Sequence, residues 1–434
     1  MMRFVIAAVA VLAALPARAE IEIQEVVSPA GVTAWLVEEH SIPFVALELR
    51  FKGGGTLDLP GKRGATNLMV GLLEEGTGDM DAMDFARTAE ELAAEFNYDA
   101  FDDAVMISAR FLTENRDEAM ALLRKSIVAP RFDEVSLARV KDQVVSIIRS
   151  DAKDPDRIAS QTFDKLAFGD HPYATSLNGT EDSVKALSRE DILEAHQGAL
   201  ALDRVYVSAV GDISAIELGQ LLDELLAGLP ATGAALPGPA TYDLAGGETL
   251  VDYATPQSVA VFGHEGIERD DPDFFAAYVL NVIMGGGGFE SRLMTEVREK
   301  RGLTYGVNSY LIPKDLGHLY LGSVASANDR ITQAVDVIRD EWARMATEGP
   351  TIEELERAKT YLTGAYPLRF DGNGPIANIL VGMQMDDLPI DYAVTRNDKV
   401  NAVTLDDVKR VAARVMRPDD LHFVIVGQPT AQDG

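Results

Sequence analysis

The chain has 434 residues, of which 47% are hydrophobic and 25% charged, so a disordered or fibrous protein is excluded and two domains are expected. The formal net charge of −30 argues against binding to nucleic acid or to an anionic membrane surface, because like charges repel. There is no cysteine, which excludes disulfides, thiolate catalysis and cysteine-rich metal sites.

Residues 1–19 have the pattern of a secretory signal peptide. Arg3 precedes a short apolar run that ends at Leu15, and Ala17-Arg-Ala19 is a small-residue cleavage site. The run is too short to cross a bilayer comfortably, and Glu20 follows it directly. We therefore predict cleavage after Ala19 and an exported mature chain.

Strands and helices are mixed along the rest of the chain. Alternation of apolar and polar residues predicts strands over 32–37, 44–51, 104–111, 204–212, 258–262, 318–325 and 421–427. Helical periodicity predicts helices over 81–96, 114–127, 134–151, 270–284 and 329–347. This succession favours an α+β fold in which each half forms a mixed, mainly antiparallel sheet with helices packed on one face.

The two halves repeat each other. A helix start at Leu187-Ser-Arg-Glu-Asp-Ile192 leads to a strand, and so does the start at Val403-Thr-Leu-Asp-Asp-Val408. Asp191 of the first start and Asp407 of the second are 216 residues apart, and each start carries a Ser or Thr in the position that helix N-caps prefer. We therefore expect a first domain over 20–230, a Pro-, Gly- and Ala-rich linker over 231–247, and a homologous second domain over 248–434.

Three stretches carry a resemblance to a known family. They are Gly53-Gly-Gly-Thr56 with Gly61-Lys-Arg-Gly64, His171-Pro-Tyr173 with Asn178-Gly-Thr180, and the long stretch over 285–307 with its Arg-Leu, Arg-Glu and Gly-Leu-x-Tyr in fixed order. Together they resemble the M16 peptidases of the insulinase and mitochondrial-processing-peptidase type, especially the short bacterial ones, over roughly 22–430. The resemblance implies two homologous α+β domains of the M16, LuxS-metallohydrolase-like fold.

The zinc motif of that family is degenerate in this sequence. Active M16 members carry His-x-x-Glu-His on one helix, where both histidines hold zinc and the glutamate activates water. The matching positions here are Asn67, Val70 and Gly71, and an apolar residue, Ile147, matches the third ligand. We therefore expect no metal in this chain.

The histidines support the same expectation without any alignment. No two of the six, His40, His171, His196, His264, His318 and His422, lie three to five residues apart, so a helical two-histidine zinc site is excluded. We expect His171 to be structural in its turn. We expect His264 to make a hydrogen bond in a loop that follows the strand 258–262.

The second half keeps two residues that the resemblance marks as functional. In two-subunit bacterial M16 peptidases, the chain without zinc supplies an arginine and a tyrosine to the substrate carbonyl, and Arg298 and Tyr305 match those positions. Both side chains can donate hydrogen bonds to a developing oxyanion. The alternative is that Arg298 pairs with Glu296 or Glu299 and that Tyr305 packs in the core.

The glycines Gly285, Gly286, Gly287 and Gly288 are a further candidate. They lack the Lys-Ser/Thr ending of a phosphate loop and follow a predicted helix, so they indicate a helix stop and flexible connector. The resemblance implies that this run lies near the peptide chamber, and we expect it to contribute to peptide binding.

The resemblance implies a metal-free, regulatory or substrate-binding subunit of a periplasmic two-subunit zinc peptidase that degrades peptides. Zinc and the His-x-x-Glu-His motif are then expected in a partner chain, with this chain inactive alone. One alternative is a non-catalytic periplasmic scaffold or peptide-binding protein. Another, a self-sufficient serine or aspartate hydrolase, is disfavoured because no Gly-x-Ser-x-Gly elbow is present.

Overall fold

The computed structural model describes residues 22–430, and the predicted signal peptide lies outside them. The strands of this part are β1 (Gln24–Val27), β2 (Thr33–Glu38), β3 (Phe44–Lys52), β4 (Gly76–Thr77), β5 (Met80–Asp81), β6 (Glu95–Ala100), β7 (Ala104–Leu112), β8 (Val205–Gly211), β9 (Gly247–Asp252), β10 (Gln257–Glu265), β11 (Val307–Lys314), β12 (Gly317–Ala327) and β13 (His422–Gly427).

The helices of the first half are α1 (Ala65–Val70), α2 (Ala82–Glu91), α3 (Arg116–Val128), α4 (Glu134–Asp151), α5 (Pro155–Phe168), α6 (Glu181–Ala186), α7 (Arg189–Ala199) and α8 (Ala215–Leu226). Those of the second half are α9 (Phe274–Asn281), α10 (Ile331–Glu348), α11 (Ile352–Ala365), α12 (Asn373–Met385), α13 (Tyr392–Ala402) and α14 (Leu405–Val415). Two short π-helical turns, Val282–Gly286 and Met294–Glu299, flank the glycine run.

Each half builds one main sheet, and the two sheets have the same topology. The first has the order β1-β2-β8-β3-β7-β6 and the second β11-β12-β10-β13-β9. When β1 is left out, the first order, β2-β8-β3-β7-β6, corresponds strand by strand to the second order written in reverse, β9-β13-β10-β12-β11. In both, one neighbouring pair is parallel, β2 with β8 and β9 with β13, and the rest are antiparallel. The fold is thus α+β with an internal repeat, as predicted.

The repeated helix starts form as the sequence predicts. Ser188 accepts a hydrogen bond from the backbone N–H of Asp191, whose carboxylate accepts one in return from Ser188 N–H. Thr404 and Asp407 make the same reciprocal pair at the start of α14. Each pair satisfies two N–H groups that a helix start leaves free, which fixes where the helix begins.

One face of each sheet packs on the helices of its own half. The first core includes Leu47 and Leu49 of β3 and Leu222 of α8, and the second includes Phe262 of β10 and Trp342 of α10. These side chains are almost completely buried, so their apolar surface is removed from water and stabilises the fold. This layer matches the prediction of helices on one face.

The opposite face of each sheet receives a helix from the other half, an arrangement that the sequence did not predict. Helix α5 packs through Phe163 on Val261 of β10, and α12 packs through Leu380 on Trp35 of β2. Polar bonds add to the second contact, because the Ser208 hydroxyl donates to the Ala377 carbonyl oxygen at 2.6 Å. The helices α5 and α12 occupy equivalent places in the repeat, so the exchange is reciprocal.

The segment over 227–246 holds neither helix nor strand and contains the predicted linker 231–247 except its last residue, Gly247, which begins β9. Its assignment as an interdomain linker, and the domain limits on either side, stay predictions. Between residues 22 and 430, no helix is long and apolar enough to span a membrane.

Candidate functional site

The three positions of the degenerate zinc motif lie on α1 and at its end. Asn67 Nδ2 donates to Asn178 Oδ1 at 2.9 Å, so its amide is engaged within the protein. Val70 is 3% exposed and belongs to the first core, and Gly71 caps the helix. Ile147, at the position of the third ligand, is an exposed residue of α4. An amide, two alkyl groups and a hydrogen atom do not fit a zinc ion, which binds imidazole, thiolate or carboxylate.

No other part of the described chain offers a metal site. Residues 22–430 contain no group of three or more His, Asp or Glu side chains placed to hold an ion. His171 has the structural role expected of it, because its Nδ1 accepts from the Tyr173 backbone N–H at 3.2 Å. His196 and His422 also bond to the backbone, but as donors, from Nε2 to the Ile127 carbonyl oxygen and from Nδ1 to the Ala245 carbonyl oxygen.

The expectation of a loop for His264 is wrong. Strand β10 continues to Glu265, and His264 is completely buried within it. Its Nδ1 donates to the Glu265 carbonyl oxygen at 2.7 Å, and its Nε2 accepts from Trp342 Nε1 at 3.0 Å. Burial lowers the pKa of this histidine to about 4. The ring is therefore a neutral component of the core.

Arg298 has a free guanidinium beside an aromatic ring. It lies in the second π-helical turn, and its Cζ is 4.7 Å from the centroid of the Phe289 ring. The alternative, an ion pair with Glu296 or Glu299, is not found in the described part of the chain, where no carboxylate pairs with Arg298. A half-buried cation without a carboxylate keeps its hydrogen-bond donors available to a ligand.

Glu296 forms ion pairs with cations other than Arg298. Lys300 and Arg301 reach its carboxylate at 2.7 and 2.8 Å. Burial acts to raise the pKa of Glu296, but these hydrogen bonds outweigh burial and hold the pKa at about 2. The turn that carries Arg298 is thus fixed by ion pairs between the buried Glu296 carboxylate and two exposed cations, and Arg298 takes no part in them.

Tyr305 points away from the protein. Its side chain is 88% exposed, whereas Leu303 and Val307 are buried, so the alternative that it packs in the core is wrong. The hydroxyl of Thr304 donates to the Ala325 carbonyl oxygen at 2.6 Å and accepts from the Gly306 N–H at 3.0 Å. A firmly held backbone therefore presents a free phenol on the segment that carries Arg298.

The glycine run is partly close-packed. Helix α9 ends at Asn281, earlier than predicted, and the first π-helical turn follows it. A Cβ on Gly285 would lie 2.4 Å from Ser309 Oγ, which only glycine avoids. Gly288 instead has open space around it and a φ of +61°. Gly285 therefore packs against β11, and the more exposed part of the run leads to Phe289.

Phe289 is a candidate that the sequence analysis missed. Its ring is 66% exposed and carries the Arg298 guanidinium on one face. A large apolar residue directly after four glycines was a usable signal, because exposed aromatic rings are common at binding surfaces.

The other sequence motifs meet at one contact between the halves, which we call the hairpin latch and define as Asp102, Asp103, Tyr173, Lys314 and Leu316. The Tyr173 hydroxyl donates to Asp103 Oδ1 at 2.6 Å and accepts from the Leu316 N–H at 3.0 Å. Lys314 pairs with Asp102 at 2.7 Å. Burial raises the pKa of Asp103. The tip of the β11–β12 hairpin is thereby fastened to the first half.

The glycine-rich turn after β3 braces this latch. The N–H groups of Gly53 and Thr56 donate to the carbonyl oxygens of Asp103 and Asp102 at 2.7 and 2.8 Å. Arg63 adds a charged bond to Asp102 at 3.1 Å. The turn predicted at Gly53 is therefore structural.

Comparison with known proteins agrees with this architecture. The profile of the family described as "Insulinase (Peptidase family M16)" matches residues 34–181, and that of "Peptidase M16 inactive domain" matches residues 186–362. A crystal structure of a peptidase M16 inactive domain from Pseudomonas fluorescens superposes with a TM-score of 0.89 at 29% identity, covering 95% of this chain and 99% of that one.

Sequence relatives include both inactive and uncharacterised members. A "Non-peptidase homolog YmxG" from Helicobacter pylori is 27% identical over 402 residues, covering 92% of this chain and 93% of the relative. An "Uncharacterized zinc protease ML0855" from Mycobacterium leprae is 30% identical over 308 residues, covering 69% of this chain and 68% of the relative. The chain therefore belongs to the M16, or insulinase, peptidase family, as a member whose motif positions hold no zinc ligand.

Proposed function

We propose that this chain is the zinc-free subunit of a periplasmic two-chain M16 peptidase that degrades peptides. The observation that carries the proposal is the pair Arg298 and Tyr305, two hydrogen-bond donors that the described part of the chain leaves without a hydrogen-bonding or ionic partner. A scaffold has no need of unsatisfied donors on one firmly held segment. The motif positions Asn67, Val70 and Gly71 make a catalytic role without a partner chemically unreasonable.

The proposed partner is an M16 chain with the His-x-x-Glu-His motif, which supplies the zinc and the general base. The two chains together enclose a chamber for small or unfolded peptides. Arg298 and Tyr305 then donate hydrogen bonds to the carbonyl oxygen under attack as it gains negative charge. A guanidinium is suited to this task because its donors are fixed in one plane and it is always charged.

Peptides in the chamber are proposed to bind by strand addition. Strands β6 and β11 are sheet edges with one strand neighbour each, and β11 begins two residues after Tyr305. An extended peptide that pairs with a free edge gains main-chain hydrogen bonds whatever its sequence. Export to the periplasm rests on the signal-peptide pattern of residues 1–19.

The test is a reconstituted pair assayed on an unfolded peptide. Arg298→Ala and Tyr305→Phe should each lower kcat by about 10²- to 10³-fold, the usual loss when one oxyanion donor is removed. Arg87→Ala is the matched control, because Arg87 is a surface arginine of α2 whose side chain is 64% exposed. Undiminished activity in both site variants would remove the catalytic part of the proposal.

An experiment done before the assay distinguishes the proposed peptidase subunit from the competing function, a non-catalytic scaffold or peptide-binding protein. Gentle purification of the tagged mature chain from its native compartment should recover a stoichiometric zinc-bearing M16 chain. Recovery of the chain alone, or with unrelated proteins only, favours the competing function. The Helicobacter pylori relative, described as a non-peptidase homologue, is compatible with either outcome.

A further inference from the structure

We propose that a groove beside Arg298 is a subsite for one bulky apolar side chain of a bound peptide. The groove has a volume of about 390 Å³ and lies between the glycine run and α11. We call it the Phe289 groove, with Phe289 and Tyr361 as its walls and Val282, Ile283 and Ala358 as its floor. Its part in proteolysis rests on the proposed function, but its ligand chemistry does not.

The exposure of the walls and floor is that of a binding pocket. Phe289 and Tyr361 are 66% and 54% exposed, whereas the three floor residues are 4–6% exposed. A concave site with an apolar floor and aromatic sides takes an apolar group, because both surfaces leave water on contact. Single exposed aromatic residues need no explanation, but two that line the same cavity do.

The groove is fixed before any ligand binds. Arg292, which follows the glycine run, makes a two-pronged ion pair with Glu354 of α11 at 3.0 and 2.7 Å. Both side chains are largely buried, and Glu354 also accepts from the N-cap residue of α11, Thr351. Because both sides of the cavity are tied together, an incoming group loses little free energy to reorganisation.

A single peptide side chain fits this groove better than the face of a second protein. A stable protein interface covers about 800 Å² on each partner, far more than two aromatic rings supply. The charges also favour a peptide. Arg357 and Glu290 also line the groove and have no ionic partner in the described part of the chain, so they are free to bond the carbonyl oxygen and the N–H of a peptide.

Phe289 links the groove to the proposed site. One ring forms the wall of the cavity and the support of the Arg298 guanidinium. A residue that fills the groove therefore places its neighbouring peptide bond beside Arg298. The substrate class that follows is peptides with an aromatic or large aliphatic residue next to the bond presented to Arg298.

The experiment measures binding to the full mature chain alone, by ligand-observed NMR, with N-acetyl-phenylalaninamide and N-acetyl-alaninamide as probes. The phenylalanine probe should bind at least about tenfold more tightly, because its ring buries more apolar surface than a methyl group. Tyr361→Ala should weaken it roughly three- to tenfold, the usual value of an aromatic pair. Ile216→Ala is the matched control, since Ile216 is a 76% exposed apolar residue on α8.

Equal binding of the two probes, or a preference that survives Tyr361→Ala unchanged, overturns the proposal. These results are independent of the proposed peptidase. If Arg298→Ala abolishes activity in the reconstituted pair but the phenylalanine probe does not bind, the subsite is wrong and the function stands. If no zinc-bearing partner is found but the probe binds at Tyr361, the subsite stands and the function is wrong.

Discussion

The buried ring of His264 should make the stability of this protein depend on pH. The neutral ring donates from Nδ1 to the Glu265 carbonyl oxygen and accepts at Nε2 from Trp342. A proton on Nε2 would face the indole N–H and break that bond. It would also place a charge where the residue is 0% exposed. The perturbation is His264→Gln, which keeps a donor and an acceptor but does not titrate.

The magnitude follows from the pKa. Burial lowers the pKa of His264 in the folded chain to about 4, against 6.5 for an unperturbed histidine. Between these values the unfolded chain binds the proton and the folded chain does not, so acid favours unfolding. The stability that the neutral His264 ring contributes is fully present above pH 6.5 and is lost as the pH falls towards 4. At about 1.4 kcal/mol per pKa unit, the loss is about 3 kcal/mol.

The assay is urea denaturation of the wild type and His264→Gln at several pH values from 7.5 to 4. The carboxylates titrate in both proteins, so the difference between the two free energies of unfolding isolates His264. Between pH 7.5 and pH 4, the wild type should lose about 3 kcal/mol of unfolding free energy relative to His264→Gln. Parallel curves would refute the reasoning. His40→Gln is the control of opposite sign, because bonds to Asp212 and Glu38 raise the pKa of His40.

Two further predictions concern the hairpin latch and the glycine run. Tyr173→Phe removes the donor to Asp103 and should lower the free energy of unfolding by about 2 kcal/mol, since a half-buried carboxylate loses its bond. Tyr253→Phe, whose hydroxyl bond is exposed, should cost much less. Gly285→Ala should cost about 1–3 kcal/mol, because the new methyl overlaps Ser309. Gly364→Ala, in an open part of α11, should instead be neutral or stabilising. Chemical denaturation measures all four, and equal effects of each variant and its control would contradict both predictions.

Much of the fold could be read from local patterns in the sequence. Helix α4 spans the predicted residues, and β3 and β7 extend one residue beyond the predicted strands. The capping pairs at Ser188 and Thr404 formed because a side chain and a backbone N–H three residues away need no tertiary partner. The absence of zinc ligands at Asn67 and Gly71 was also visible, because the family resemblance located the motif positions and their side chains cannot bind zinc.

What the sequence did not predict depends on contacts between distant segments. Helix α5 was not among the predicted helices, and nothing in its sequence indicates that Phe163 packs on the other half. His264 was assigned to a loop because the predicted strand ended at Phe262, yet pairing with β12 continues the strand to Glu265. Tyr173 carries no local mark of the hydrogen bonds that it makes to Asp103 and Leu316. Whether Arg298 and Tyr305 act on a substrate stays a prediction.

The exchange of α5 and α12 has a consequence for any attempt to divide this protein. A fragment that ends before β9 would keep α5 but lose the sheet that α5 covers, and its own sheet would be stripped of α12. Each fragment would then expose an apolar sheet face and a helix that has lost its packing partner, and such exposed apolar surface promotes aggregation. The two fragments should therefore fold only when produced together. After a cut between residues 231 and 247 they should stay associated, because each half contributes a helix that packs on the sheet of the other.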